Sequence, residues 1–176
     1  EELDAGLERI GTLVREAIAG TRALAHELSP AALHRNGLPA ALNWLAEHVH
    51  TLHGLRVDVS NLAGEPNLDG PVAIFLFRAA QELLLNVSKH ALTDYAEIRL
   101  QRDGAGIRLE VADRGRGFDA GEFDEVDAPP SFGLFSIRER AELLGGTTRI
   151  DSVAGEGTTV TLFMPSEEPM QGAETP

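Results

Sequence analysis

The 176 residues are 43% apolar and 24% charged, enough for one or two hydrophobic cores and too apolar for a disordered tail. With 28 Asp and Glu against 15 Lys and Arg, the formal charge of -13 repels polyanions; this excludes a general nucleic-acid binder and leaves any phosphate ligand to local groups. Zero cysteines exclude disulfides and thiolate metal sites, and no uncharged apolar run approaches the roughly 20 residues of a bilayer span, so a soluble, cytoplasmic chain is expected.

From Leu3 to Leu28 the apolar or small positions alternate steps of four and three, the seam of a heptad helix that Pro30 ends. A second apolar set (Leu13, Ile18, Ala25) widens the stripe beyond a two-stranded seam and suits a helical bundle. After a loop from Ser29 to Gly37, Leu38, Leu42, Leu45, Val49 and Leu52 recur at helical spacing, and Gly54 closes that helix. Leu55 to Val59 alternates as a half-buried strand, followed by a polar turn from Asn61 to Asn67. Asp69 then caps a helix with Pro71 in its first turn. Two strands, Ala96 to Gln101 and Ile107 to Ala112, flank the hairpin signal Asp103-Gly104. A loop rich in Gly, acid and Pro reaches Phe132, and Gly133 to Leu144 reads as a helix stopped by Gly145-Gly146. Strands at Thr148 to Val153 and Thr158 to Phe163 precede a polar tail, Ser166 to Pro176. This order predicts an α+β two-layer sandwich: a mostly antiparallel sheet with helices on one face, behind a helical stalk.

Polar residues sit where this architecture expects a core. On the helix after Asp69, Glu82, Asn86, Lys89 and His90 fall along one stripe about two turns long, suited to a metal, its anionic ligand and a proton. Taken alone, the same stripe is equally a solvated face ending in a hydrogen-bonded imidazole. Asp113-Arg114-Gly115-Arg116-Gly117 follows a strand; its glycines permit close approach to a ligand, and the Asp can accept from an exocyclic amine, although a strand-end turn also looks like this. Gly133-Leu134 opens a helix whose free N–H groups favour phosphate, and Gly155-Glu156-Gly157-Thr158 joins the last strands, where Thr158 can donate to a base or water. Each motif alone is ambiguous.

Their order and spacing together resemble the GHKL, or Bergerat-fold, ATPase domain of two-component sensor histidine kinases of the nitrate-sensor and desaturase-sensor type, with the third class of dimerisation region. QELLLNVSKHA (81–91) is similar to the N box, DRGRGF (113–118) to the G1 box, GLFSIRERAELLGG (133–146) to the G2 region and GEGTTVTLFMP (155–165) to the last box. HELSPAALHRNGLPAALNWLAEH (26–48) is similar to the segment joining the dimerisation region to the ATPase domain. The resemblance implies residues 1–30 as the second dimerisation helix, with the first one missing, then 31–165 as the ATPase domain and 166–176 as a disordered tail. It implies ATP and Mg²⁺ as ligands. Asn86 would coordinate Mg²⁺, and Lys89 with His90 would contact phosphate. Glu82 would orient or deprotonate the acceptor histidine. Asp113 would take the adenine amine in a pocket shaped by Gly115, Gly117, Gly157 and Thr158, and Gly133 with Leu134 would meet the phosphates beneath a mobile lid, Asp119 to Phe132. Implied partners are a response-regulator receiver domain and a second copy, paired through the Leu3–Leu28 helix. Where the family often has a second glycine and a Met, this chain has Ser136 and Ile137, which bears on lid closure.

None of the six histidines matches the family's phosphoacceptor: His26-Glu27 lies at the end of the helix, and His48, His50 and His53 are spaced to scatter over a helix and not to share a metal. Transfer would therefore go to a histidine on another helix, and the fragment would not phosphorylate itself. Two other readings stay open: a GHKL ATPase of another class, such as an anti-sigma serine kinase, and a nucleotide-free interaction module.

Overall fold

A computed structural model of the chain describes residues 31–104, 106–119 and 132–165. The heptad stalk, the centre of the acidic loop and the C-terminal tail lie outside the described residues.

Helix α1 spans Ala31–His53, interrupted at Gly37, whose φ of 76° and ψ of 176° break the helical path. The sequence reading placed a loop up to Gly37. Instead the break occupies one residue, with helix on both sides, because Pro39 in the first turn of the second part needs no N–H partner there. Leu38, Leu42, Leu45 and Val49 are buried as their spacing predicts, whereas Leu52, the last of that series, is exposed in the final turn of the helix. Gly54 closes α1 with φ 72° and an N–H bond to the His50 carbonyl at 2.9 Å.

Strand β1 is Arg56–Asn61, and helix α2, Gly70–Asn86, continues as a π-helical turn, Val87–Ala91. Asp69 stands at the N-cap of α2, but its side chain makes no capping bond; its carbonyl accepts the Ala73 N–H at 2.9 Å, and Pro71 removes one donor that needed a cap. The chain continues through β2 (Tyr95–Asp103), β3 (Gly106–Asp113), α3 (Phe132–Leu143), β4 (Thr147–Val153) and β5 (Gly157–Pro165). The sheet order is β1-β2-β3-β5-β4; β1 and β2 are parallel, joined by the α2 crossover, and the other pairs are antiparallel.

Period-two alternation sorts the sheet into two faces. Ile98 and Leu100 of β2, Leu109 and Val111 of β3, and Val160 and Leu162 of β5 are buried with Phe75, Leu76, Phe77 and Leu84 of α2 in one core. By length and composition Gly70–Ala91 could cross a membrane, but here its apolar side packs on the sheet. The opposite face is polar: Arg99 pairs with Glu97 and Glu110, and the Tyr95 hydroxyl donates to Asp58 Oδ2 at 2.8 Å, which with nearby carboxylates pushes its pKa up to about 12. Asp113 has the parity of Val111, Thr158 that of Val160, and Ser152 pairs with Thr158. Three polar side chains thus stand in a row across β3, β5 and β4 on the core face, at one end of the sheet.

Candidate active site

A cavity of about 410 Å³ opens between that end of the sheet and the C-terminal end of α2, within the usual range for small-molecule sites. Asn86 and His90 project from the helix side, Asp113 and Thr158 from the strands, Gly117 from the loop after β3, and Leu134 from α3. Between them the wall is apolar, through Leu83, Val87, Val111 and Val160.

Asp113 is only 9% exposed. Its burial raises the carboxyl pKa above the ordinary 3.8, opposed by backbone N–H bonds from Gly115, at 2.8 Å to Oδ1, and from Thr158. With one oxygen steadied by the backbone, the carboxylate has lone pairs left for a donor in the cavity.

The loop after Asp113 is stitched down on both sides. The Arg116 N–H donates to the Ala91 carbonyl at 2.7 Å, and the Arg116 carbonyl accepts from the Gly155 N–H at 2.6 Å. A Cβ at Gly115 would overlap the Ala91 carbonyl; one at Gly117, where φ is 56°, would overlap the Val153 carbonyl. Gly157 has φ 99° and lies against the Asp113 backbone. These glycines therefore permit the close approach that draws the loop, the π turn and the β4–β5 hairpin around one cavity.

Of the residues singled out from the sequence, Asn86, His90, Asp113, Gly117, Leu134 and Thr158 meet in the cavity wall. Gly115 and Gly157 act behind it, through backbone packing. Glu82, Lys89 and Gly133 are outside it. Lys89 is exposed, because the π turn departs from the α-helical spacing that aligned it with Asn86. Glu82 lies against Gly133, so close that a Cβ there would collide with its carboxylate. The four-residue stripe thus divides: Asn86 and His90 face the cavity, Glu82 packs from α2 against the start of α3, and Lys89 is exposed.

Sequence reasoning missed Ser152. Its hydroxyl accepts the Phe118 N–H at 2.9 Å and lies 3.1 Å from the Gly157 carbonyl and 3.0 Å from Thr158 Oγ1. The available signal was its parity in β4 opposite Thr158. Arg116 and Phe118, which also line the cavity, were passed over within the glycine motif.

Among the described residues no group of three or more His, Cys, Asp or Glu could hold a metal. A divalent cation that keeps waters and substrate phosphates as ligands needs little from the protein; Asn86 lines the cavity with an amide whose oxygen is the atom able to ligate such a cation, while its buried Nδ2, which has no hydrogen-bond partner, is a donor suited to a phosphate oxygen. A wider depression on the polar sheet face has charges already paired, Arg149 with Asp151 at 2.7 Å and Arg108 with Asp103.

Residues 72–168 match the family described as histidine kinase-, DNA gyrase B-, and HSP90-like ATPase. The oxygen sensor histidine kinase NreB of Staphylococcus carnosus is 34% identical over 165 residues, which cover 94% of this chain and 47% of NreB. The chain thus spans about half the length of that relative. Among solved structures, the blue-light activated histidine kinase of Erythrobacter litoralis superposes with a TM-score of 0.61 at 23% identity, over 75% of this chain and 42% of that one. The histidine kinase domain of that protein gives 0.58 at 24% identity, over 73% and 61%. The mycobacterial sensor histidine kinase MprB gives 0.56 at 20%, over 72% and 93%. These structures share the fold. The matched span contains both walls of the cavity, from Asn86 through Asp113 to Thr158, and the chain belongs to the histidine kinase-, DNA gyrase B- and HSP90-like ATPases.

Proposed function

We propose that residues 31–165 form the ATP-binding catalytic unit of a two-component sensor histidine kinase, and that residues 1–30 form a helix of its dimerisation region. Its task would be to pass the γ-phosphoryl group of ATP to a histidine outside this stretch, for relay to an aspartate of a receiver domain. The observation that carries this reading is one cavity with a buried carboxylate, Asp113, on one wall and the amide and imidazole of Asn86 and His90 on the other.

In this reading Asp113 accepts the adenine 6-amino group while Leu83, Val87 and Val160 cover the base. The Asn86 amide holds the phosphate end, with His90 beside it and Lys89 reaching in from solvent. Mg²⁺, when bound, neutralises phosphate charge. Gly133, in the first turn of α3, would bring its backbone to the phosphates, beside Leu134 of the cavity wall. Phosphoryl transfer asks mainly for alignment and charge stabilisation: the acceptor imidazole nitrogen bonds to the γ-phosphorus as its bond to the ADP oxygen breaks. Glu82 hydrogen-bonds the second imidazole nitrogen and keeps the acceptor neutral and nucleophilic.

The test supplies the protein with Mg-ATP and a separate dimerisation domain carrying the acceptor histidine. The expected product is acid-labile phosphohistidine, with Glu82→Gln retaining Mg-ATP binding and losing transfer. Acid-stable phosphoserine would assign the chain to the serine-kinase branch, and absence of nucleotide binding would make it an interaction module.

A further inference from the structure

We infer that Ser152, which is not in the cavity wall, is a positioning residue that makes the site select a 6-amino over a 6-oxo purine by fixing the hydroxyl proton of Thr158. The inference rests on the reading of the cavity as a nucleotide site and adds to it the origin of base selectivity.

The hydrogen count decides the orientation. Ser152 Oγ has one proton and two lone pairs. The Phe118 N–H fills one lone pair at 2.9 Å. The Gly157 carbonyl at 3.1 Å can only accept, so it takes the serine proton. The remaining contact, Thr158 Oγ1 at 3.0 Å, then has threonine as donor to the second lone pair of serine. Only this assignment makes all three bonds, and it leaves Thr158 nothing but lone pairs to show the cavity. The sequence reading of Thr158 as a donor to the ligand is reversed.

Asp113 and Thr158 are cross-strand partners, so the cavity end they line presents two acceptors side by side. A purine 6-amino group brings donors to both. A 6-oxo group sets a lone pair against them, and the threonine proton that would relieve the mismatch is held by Ser152. Without Ser152 the Thr158 hydroxyl turns freely and donates to the oxo group.

Calorimetry with Mg-ADP and Mg-IDP tests this on the full chain. Wild type is expected to prefer Mg-ADP. One hydrogen bond predicts that Ser152→Ala lowers the ADP/IDP affinity ratio roughly 3- to 10-fold, and Ser152→Thr restores it. In a Thr158→Val background Ser152→Ala should leave the ratio unchanged. Ser152→Cys, which keeps a side chain of similar shape with weaker hydrogen bonding, should move the ratio the same way and serves if the alanine variant does not fold. Equal losses for both nucleotides in Ser152→Ala, at constant ratio, would reduce Ser152 to a loop anchor and overturn the inference. A wild-type protein that binds neither nucleotide would refute the nucleotide reading itself, before any substitution is compared.

Discussion

Replacing Asp113 by Asn should separate binding from stability, with opposite signs. The carboxylate already accepts the Gly115 N–H at 2.8 Å and is supported by the Thr158 N–H. An amide has one acceptor oxygen. If that oxygen keeps the backbone bonds, the NH₂ group meets the adenine amine donor to donor; if it turns to the base, the Gly115 N–H faces another donor. Either way a charge-assisted bond of about 1.5–3 kcal/mol is lost, or roughly 10- to 150-fold in Mg-ADP affinity. Inorganic triphosphate, which never reaches Asp113, should bind as before. Stability runs the other way. Burial lifts the folded-state pKa above 3.8, so the folded protein holds the proton more tightly than the unfolded chain. The cost of burying the charge is absent at pH below 3.8, grows as pH rises through the raised value and is full above it. Asp113→Asn removes that cost, so urea unfolding at pH 7 should show a variant at least as stable as wild type. As pH falls toward the raised value, wild-type Mg-ADP affinity should drop before ordinary carboxylates titrate. Equal weakening of ADP and triphosphate, measured by calorimetry, would refute the adenine role; a marked loss of stability at pH 7 would refute the burial argument.

Asn86→Ala should weaken Mg-ADP about tenfold or more and metal-free ADP less, as competition binding with and without EDTA would show. Gly117→Ala forces a Cβ onto a residue at φ 56° and into the Val153 carbonyl; strain of about 1–3 kcal/mol should appear as a lower urea midpoint, with nucleotide affinity reduced as the loop shifts. Phe77 is 1% exposed in the core between α2 and the sheet, so Phe77→Ala should cost about 3–5 kcal/mol in equilibrium unfolding.

How much was legible beforehand follows the range of the interactions involved. Asp103-Gly104 marks the β2–β3 hairpin, a local signal that holds; Asp113 reads from the sequence only as following a strand, and its burial comes with the parity it shares with Leu109 and Val111 in β3. The break at Gly37 was seen but extended too far, because Gly and Pro mark where helix is interrupted and not how soon it resumes. The π turn leaves no mark in the hydrophobic pattern, since Val87 and Ala91 are buried within it, and α-helical spacing therefore puts Lys89 with Asn86. Two features depend on residues distant in sequence and could not be read from spacing: Glu82 against Gly133, and Ser152 tying Phe118 to Thr158. Serine in an edge strand reads as a surface residue until the register shows what it faces.

Leu83, Val87, Val111, Leu134 and Val160 belong at once to the hydrophobic core and to the cavity wall. The interior of the ATPase is therefore unfinished, and an adenine base would supply its last apolar layer. Folding and ligand occupancy then share one free-energy balance: at a hundred times its dissociation constant, nucleotide adds about 2.7 kcal/mol against unfolding. On the proposed reading, loss of nucleotide would loosen the interior beside the loop after β3, so ATP would act on this fold as a scaffold as well as a substrate.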